Sequence, residues 1–584
     1  MVDSSMQEES HDPCAETGIA LLLPDKGAGD LLRAWKDQLP ASAPQLWQRV
    51  KSNSSRTVYR GRLDGSGVYL KHFHSGGAKR RLLRLLGIND ARQEAVFCRF
   101  LGEKSVPTPR VLAAWTQGGG EWLATAEVSK AAPADVWHLQ QLDRGAEGLA
   151  AIRRASARLA QIVAKMHMAG VFHSDLHCGN ILVPASGDGA ELILMDLHRV
   201  KRRRRLSRRS RAANLAQLMY DRYDWTTLSD RLRFLKEYLK QCGDPGSLRG
   251  WQYFIEKLVN AHARRQYGQR DRRMIGTNRY FGSIRCDNGY TGRVVLASKR
   301  KLAGSTAAQE VFTPDQWRAA VADVQSLFEG EGIVVVKDSP SSLVIRRKLK
   351  VGAAEIDVYI KRSRRKKRWK ALLDCFRQSR PMKAFLLGHA LLTRRIATAL
   401  PLAVIERRVG PWLVDSILIT ETVEAATLRE SLVSWLTNKP GLQPSVHARQ
   451  ASQEVLWRLG RMVQRLHDND LAHRDLKAQN IMVYSPPAGG PLEMVLIDLD
   501  GLSRRRKLST RRRFQGLMRL NVSLLNCQVV NHAGRLRMLL AYLRRPASGR
   551  IDFKPYWRML EKWSSRKLRQ QIRSRRKRQK ATRI

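Results

Sequence analysis

Two stretches of the chain place an Asp five residues ahead of an Asn, in the pattern H-x-D-L-x-x-x-N: Asp175 with Asn180, and Asp475 with Asn480. A further Asp ends an apolar stretch soon after each, Asp196 in one case and Asp498 in the other. Roughly a hundred residues upstream of each pair stands a Lys in a β-branched, alternating stretch, Lys71 in VYLK and Lys361 in VYIK. Phosphoryl transfer from ATP needs these four parts. Asp175 and Asp475 are candidate bases for the hydroxyl that attacks. Asn180 with Asp196, and Asn480 with Asp498, are candidate Mg²⁺ ligands. Lys71 and Lys361 would hold the α- and β-phosphates, each steadied by a carboxylate on the next helix. Glu94, in ARQEAVFCRFL, is that carboxylate for Lys71. Lys477, two residues past Asp475, can neutralise the transferring phosphoryl group. An HxD alone is worth little, and a strand Lys is usually a solvated edge residue. The joint set, in order and twice over, is a different matter.

The elements that must position these residues recur with them. VYLK and VYIK lie 290 residues apart, as do Trp122 in EWL and Trp412 in PWL. HSDLHCGNILV at 173–183 returns as HRDLKAQNIMV at 473–483, and RLRFLKEYL at 231–239 returns as RLRMLLAYL at 535–543. The order is kept and the offset drifts only by loop-sized amounts, so the chain reads as two homologous domains. Within each copy, alternating strand-like stretches come first. Leu-rich segments of helical period follow, such as ARLAQIVAKMH at 157–167 and VLWRLGRMVQRLH at 455–467. The expected fold class is α+β: two tandem protein-kinase-like domains, each a small β-rich N-lobe followed by a larger α-helical C-lobe. Residues 1–30 read as an acidic flexible tail, 31–265 as domain 1, 266–310 as a connector with room for a strand of the second copy, 311–565 as domain 2, and 566–584 as a basic tail.

The 584 residues carry 105 Lys and Arg against 52 Asp and Glu, a net charge of +53, which implies anionic partners. The hydrophobic fraction of 43% argues against disorder. Seven scattered Cys with no CxxC spacing argue against a disulfide framework or structural zinc, and fit a reducing compartment. No apolar run reaches membrane-spanning length, and the acidic N-terminus is unlike a signal peptide. A cytoplasmic protein is expected, with any membrane contact peripheral.

VPTPRVLAAW at 106–115, KMHMAGVFHSDLHCGNILV at 165–183 and MDLHRVKRRRRLSRRSRAANLAQL at 195–218 give the first copy a resemblance to a known family. From the second copy, IATALPLAVIE at 396–406, HRDLKAQNIMV and IDLDGLSRRRKLSTRRR at 497–513 add to it. The chain resembles the lipopolysaccharide kinase (Kdo/WaaP) family over both copies. The Arg-rich segment after the second Asp narrows a general kinase core to this family. The resemblance implies a protein-kinase-like fold and transfer of phosphate from ATP, with Mg²⁺, to a heptose or Kdo hydroxyl of the lipopolysaccharide core. It also implies a place at the inner face of the bacterial inner membrane. Two other readings stay open: a protein Ser/Thr kinase, favoured by HRDLKAQN, and a pseudokinase scaffold on anionic membrane.

Departures from the kinase pattern are informative. SNSSRT and DSPSSL stand where a GxGxxG loop is expected. Ser54 and Ser55 are candidate nucleotide contacts through their backbone, against a plain solvated turn. DFG becomes DLH at 196–198 and DLD at 498–500, which keeps the metal ligand. Copy one has Ser174 where regulated protein kinases carry Arg. In copy two Ala384 falls where Glu94 stands in copy one, and no acid occurs from 375 to 403. Lys361 must lack the helix carboxylate or borrow another, so copy one is the surer seat of activity. Basic runs at 201–211 and 504–513 follow the metal-binding Asp in both copies, and others cover 361–370 and 566–583. A solvated charged face is the usual reading of one such run. Repeated beside the site, they are candidates for capturing a lipid-linked core oligosaccharide and for docking on anionic inner-leaflet lipid. No base-reading module accompanies them, which makes nucleic acid an unlikely partner.

Overall fold

The computed structural model describes residues 20–23, 26–52, 55–74, 89–185, 191–223, 225–297, 311–364, 378–436, 445–484, 492–527, 529–544 and 552–581. The chain divides into two compact units, Met1–Arg264 and Arg265–Ile584.

The first unit opens with β1 (Ala20–Leu21), α1 (Lys26–Trp35), β2 (Trp47–Ser52), β3 (Arg56–Leu63) and β4 (Ser66–Phe73). Then come α2 (Asp90–Glu103), β5 (Val111–Gln117) and β6 (Gly120–Ala126). The six strands form one antiparallel sheet in the order β1-β5-β6-β4-β3-β2. Alternation does the work: Val68, Leu70 and Phe73 of β4 are buried, while Lys71 lies between them, paired in register with Val58 on β3 and Leu123 on β6. Residues 20–30, expected as tail, are ordered where Ala20–Leu21 pairs with Trp115–Thr116 and α1 buries Leu32 and Trp35 against the sheet. This apolar stripe is short and follows an acidic stretch, so it was hidden by its neighbours.

The helical lobe of the first unit begins with β7 (Ala132–Pro133), α3 (Ala134–Leu142) and α4 (Gly145–Met168). The short strands β8 (Val171–His173), β9 (Ile181–Val183), β10 (Ile193–Leu194) and β11 (Val200–Arg202) frame the H-x-D-L loop. α5 (Arg208–Arg222) and α6 (Leu228–Gln241) follow, and then α7 (Leu248–Arg273), within which the division between the units falls. α4 buries Ala155, Ile162, Val163 and Met166 along one face, against a core that includes Leu215, Phe234 and Trp251. It ends at Gly170 (φ +76°), where a Cβ would lie 1.9 Å from the Arg203 carbonyl oxygen. Only glycine makes that turn at this distance.

The second unit repeats this plan. Its sheet contains β12 (Phe281–Arg285), β13 (Tyr290–Val295), β14 (Val334–Ser339), β15 (Ser342–Val351) and β16 (Ala354–Ser363). α8 (Pro314–Ala320) lies between β13 and β14, and α9 (Arg380–Thr393) follows β16. β17 (Pro401–Val409) and β18 (Trp412–Glu421) complete the sheet, in the order β12-β13-β17-β18-β16-β15-β14. The β12–β13 hairpin comes from the segment read as connector and pairs with β17 at Val294↔Ala403, where the first unit has β1. Lys361 on β16 pairs with Val344 and Leu418, repeating the register of Lys71.

The helical lobe of the second unit holds β19 (Ala426–Thr427), α10 (Leu428–Leu436), α11 (Val446–Asp468), β20 (Leu471–His473), β21 (Ile481–Tyr484), β22 (Glu493–Leu496) and β23 (Leu502–Arg504). α12 (Thr510–Leu525), α13 (His532–Leu543) and α14 (Lys554–Ala581) end it. Much of the region read as a basic tail is therefore helix. The helix that contains it is anchored upstream, where Leu560 and Ser564 are both fully buried, ahead of the charge-rich remainder. The architecture is α+β, with a β-rich lobe and a helical lobe in each unit.

Candidate active site

In the first unit β8 pairs with β11 and holds His173 buried at the base of the loop. Its Nε2 lies 3.1 Å from the Met195 carbonyl oxygen, and its Nδ1 accepts from the Asp175 backbone N–H at 3.1 Å. That pair of contacts fixes one neutral tautomer. Burial holds the ring below the ordinary imidazole value, in keeping with it. Asn180 donates its side-chain N–H to the Asp175 carbonyl at 2.9 Å, closing the loop across the five-residue spacing. Asp175 itself points outward, 60% exposed, with His177 Nε2 3.7 Å away. The contact to His177 pulls the Asp175 carboxyl below its usual range, and the same contact raises His177.

Lys71 and Glu94 form an ion pair, the two side chains 16% and 3% exposed. Burial pushes the Lys71 ammonium down, but the charges of Glu94 and Asp196 outweigh it and the net direction is up. Asp196 sits in the left-handed region (φ 65°), a rare setting for a residue other than glycine and one that Asp tolerates. Arg56, at the start of β3, donates to Asp196 Oδ2 at 2.8 Å, and His198 Nδ1 lies 2.8 Å from Oδ1. Burial works to raise the Asp196 carboxyl, yet His198 and Arg56 hold it well below the carboxylate range. Arg56 was not foreseen, since a contact across 140 residues has no local signal; His198 stood in view in DLH, but its turn back onto Asp196 did not.

The second unit reproduces the loop. Asn480 donates to the Asp475 carbonyl at 2.9 Å, and His473 Nε2 lies 2.9 Å from the Asp498 carbonyl oxygen while Nδ1 accepts from Asp475 N–H at 3.2 Å. Lys477 Nζ stands 2.8 Å from Asp475 Oδ2, where the first unit has His177. Asp498 is again left-handed (φ 55°).

The lysine pairing is rewired. α9 offers no carboxylate: Ala384 is buried, and His389 is wedged edge-on between Phe281 and Phe385, its ring pushed down to about 4 by burial. Gly388 lets α9 approach closely, since a Cβ there would lie 2.9 Å from Leu499. Lys361 Nζ instead reaches Asp500 at 2.7 Å and Asp498 at 3.1 Å. Burial lowers Lys361, Asp500 and Asp498 raise it, and the balance is upward. Asp498 is held below its usual range, the charge of Lys361 outweighing burial. The DLD in place of DLH was the visible signal for Asp500; what it did not reveal was the direction in which the side chain turns. Ser342 occupies the position of Arg56, two strand residues before the partner of Lys361.

The donor sets suit a hard cation. Among the described residues the Oδ1 atoms of Asn180 and Asn480 take no hydrogen bond, and each Asn is bonded to the carbonyl of its loop Asp. Ligand atoms of Glu94, Asp196 and His198 also lie within 4.8 Å of one another, and Glu94 Oε2 is buried without a partner. Carboxylate and amide oxygens of this kind fit Mg²⁺.

Of the remaining expectations, Ser55 lies in the bend before β3 and its carbonyl accepts from His74 N–H at 3.0 Å. Ser54 falls outside the described residues, as do positions 365–370 of one basic run. Part of the run at 201–211 is tied down: Arg211 bonds Asp244 at 2.6 Å, and Arg202 lies over the Phe100 ring. Arg204, Arg205 and Arg209 are exposed, as are Arg505, Arg506 and Lys507 in the second unit. No helix among the described residues is long and apolar enough to cross a membrane.

The model of the Lipopolysaccharide kinase (Kdo/WaaP) family matches residues 47–238 and 338–542, one match in each unit and together more than half of the chain. The chain is 29% identical over 226 residues to the lipopolysaccharide core heptose(I) kinase WaaP of Pseudomonas aeruginosa, a match covering 36% of this chain and 84% of that protein. Among solved structures, WaaP in complex with acyl carrier protein is 25% identical, with a TM-score of 0.32 and coverage of 42% of this chain and 98% of that one. An aminoglycoside-3'-phosphotransferase of type VIII is 18% identical, with a TM-score of 0.26 and coverage of 40% and 100%.

Proposed function

The chain belongs to the lipopolysaccharide kinase (Kdo/WaaP) family, and from that premise we propose that it moves the γ-phosphate of ATP onto a heptose or Kdo hydroxyl of the lipopolysaccharide core, with both units capable of the reaction. One observation carries the reading: the same Lys, Asp, Asn and Asp converge in each unit, with the Asn-to-Asp bond at 2.9 Å in both.

In this reading Asp175 and Asp475 take the proton of the acceptor hydroxyl as its oxygen forms a bond to the γ-phosphorus. The bond from that phosphorus to the bridging oxygen breaks, and ADP leaves. Asp175 is outward-facing and held ionised by His177, as a base must be. Lys71 and Lys361 grip the phosphates, and Lys477 and a protonated His177 offset charge on the transferring group. Asn180 with Asp196, and Asn480 with Asp498, would hold Mg²⁺, which supplies charge neutralisation on the phosphates when bound. Arg56 is poised to exchange Asp196 for a nucleotide phosphate. The second unit needs no helix carboxylate, because Asp500 replaces it. The basic runs dock the protein peripherally on anionic lipid at the inner face of the inner membrane, at about 1 kcal/mol per basic residue near the surface.

The test is transfer of label from ATP to deacylated core oligosaccharide and, separately, to general protein acceptors. Label in the sugar, lost only in the Asp175→Ala and Asp475→Ala double variant, is the expected result. Transfer to protein alone would sink the proposal, and so would turnover that ignores Mg²⁺.

A further inference from the structure

A cavity of about 630 Å³ lies against the catalytic loop of the second unit, between that loop and the start of α12. Five guanidiniums line it: Arg474, Arg505, Arg511, Arg512 and Arg519. None of the five makes a side-chain hydrogen bond or ion pair among the described residues. Asp500, the one acid in the lining, is already paired with Lys361. Nearby arginines of the same run do find carboxylates, Arg504 with Asp271 at 2.5 Å and Arg513 with Asp468 at 2.9 Å. The five are thus left converging on a space with nothing to answer their charge. That arrangement favours a dianion.

The first unit has no such site at the matching positions. Ser174, Ser210 and Gln217 stand for Arg474, Arg512 and Arg519, and only Arg203 and Arg209 keep the charge. Gln217 donates to the Ser174 carbonyl at 3.0 Å. Asn214 fills the place of Gly516, bonded to both backbone groups of His173 at 3.1 and 2.7 Å. The concentration of arginine at these positions therefore belongs to the second unit, through several differences of the same electrostatic sense.

We infer that this cavity binds a phosphomonoester carried by the acceptor sugar, so that the second unit accepts a glycan that is already phosphorylated. The inference rests on the sugar-kinase reading for its choice of carrier. Arg474 is the immediate neighbour of Asp475, so a phosphate held here sets the distance from that group to the hydroxyl presented to the base. The same tetrahedral dianion could instead arise on the chain itself, at Ser503, Ser509 or Thr510, and the experiment separates the two.

The full chain, with its nucleotide sites filled by ADP, is titrated calorimetrically with mannose 6-phosphate and with mannose. The intact chain should bind the phosphosugar at least about tenfold more tightly. Arg474→Ser with Arg519→Gln, the residues of the first unit, should erase that preference while ADP affinity stays. Arg511→Ser with Arg512→Ser, both at exposed positions, should do likewise and guards against misfolding of the first pair. Equal affinity for the two sugars in the intact chain, or an undiminished preference in both variants, overturns the inference. So does a purified chain whose intact mass carries phosphate on the 503–510 segment and whose phosphosugar binding appears only after phosphatase treatment. Loss of the sugar-kinase reading would show separately, as absent transfer of label with binding intact.

Discussion

The two units solve one problem in two ways. Each must hold a lysine ammonium at a fixed point on one strand of its sheet, β4 or β16, largely out of water. The first unit does it with a helix carboxylate, Glu94, and leaves Asp196 to Arg56 and His198. The second has a helix without a carboxylate and holds Lys361 with two aspartates that flank a single turn, Asp498 and Asp500. In the first unit the direct tie between the lobes runs from Arg56, at the start of β3, to Asp196, and the lysine is left to the helix. The second ties strand β16 directly to the turn that would hold the metal. Two of their cavities differ as well: one of about 660 Å³ in the first unit is lined by residues that include Trp137, Leu149, Ile152 and Phe234, and one of about 630 Å³ in the second by arginines. Homologous backbones have thus been given different electrostatic wiring.

The largest effect expected from breaking this comparison is at Glu94. Glu94→Gln leaves a buried ammonium with no adjacent carboxylate, a loss of about 3–5 kcal/mol for a broken buried pair. Chemical denaturation should show it, together with loss of ATP binding in a Lys361→Ala background. Asp500→Ala should cost less, because Asp498 remains: about a tenfold loss of ATP affinity in a Lys71→Ala background. Ala384→Glu added to Asp500→Ala should restore part of it, and a double-mutant cycle with no coupling would show that the two carboxylates do not substitute for each other.

Stability gives a further contrast. Glu421, at the end of β18, is buried with neither oxygen bonded, and burial pushes its carboxyl from 4.5 to about 8. The folded form keeps a proton that the unfolded chain gives up across that interval, so stability falls as pH rises from 4.5 through 8. The first unit has Ala126 there. Glu421→Gln should raise the Tm of the second unit by about 2–4 °C at pH 8 and by less at pH 5. Thermal melts at the two pH values check the sign.

The smallest effect concerns His177 and Lys477. His177 is raised by Asp175 and Asp175 is lowered in return, so their ion pair is complete below the ordinary imidazole value and fades as pH climbs through the raised one. The rate carried by the first unit should fall about two- to fivefold on the alkaline side of neutrality. The rate carried by the second should hold, since lysine side chains do not titrate between about pH 6 and 9. His177→Lys should make the two profiles alike.

The residues that form each catalytic loop were legible because they sit within eight positions of one another. The same holds for Lys71 and Lys361, whose strands alternate cleanly, and for the duplication, which needs only recurrence in order. What escaped notice depends on contacts across the fold. Arg56 meets Asp196 over 140 residues, and Asp500 turns toward a lysine 139 positions upstream. The arginine cavity was visible only as a charged run; its walls come from the catalytic loop and from one face of α12, and linear order scatters them. Missing the order in residues 20–30 has a plainer cause, for two strand residues and one short helix carry too little pattern to be seen apart from the sheet they join.

The pairing of Lys361 with Asp500 also constrains history. A lineage passing between the two arrangements by single substitutions must go through a chain with both carboxylates or with neither. With neither, the ammonium keeps Asp498 alone and the nucleotide site is weakened. With both, one ammonium faces three acids, a surplus that water and neighbouring arginines can absorb. A helix carboxylate can be lost without stranding the ammonium only where the aspartate is already present. Ala384 is now packed and Gly388 has drawn the helix in, so a returning glutamate restores the pairing only in part.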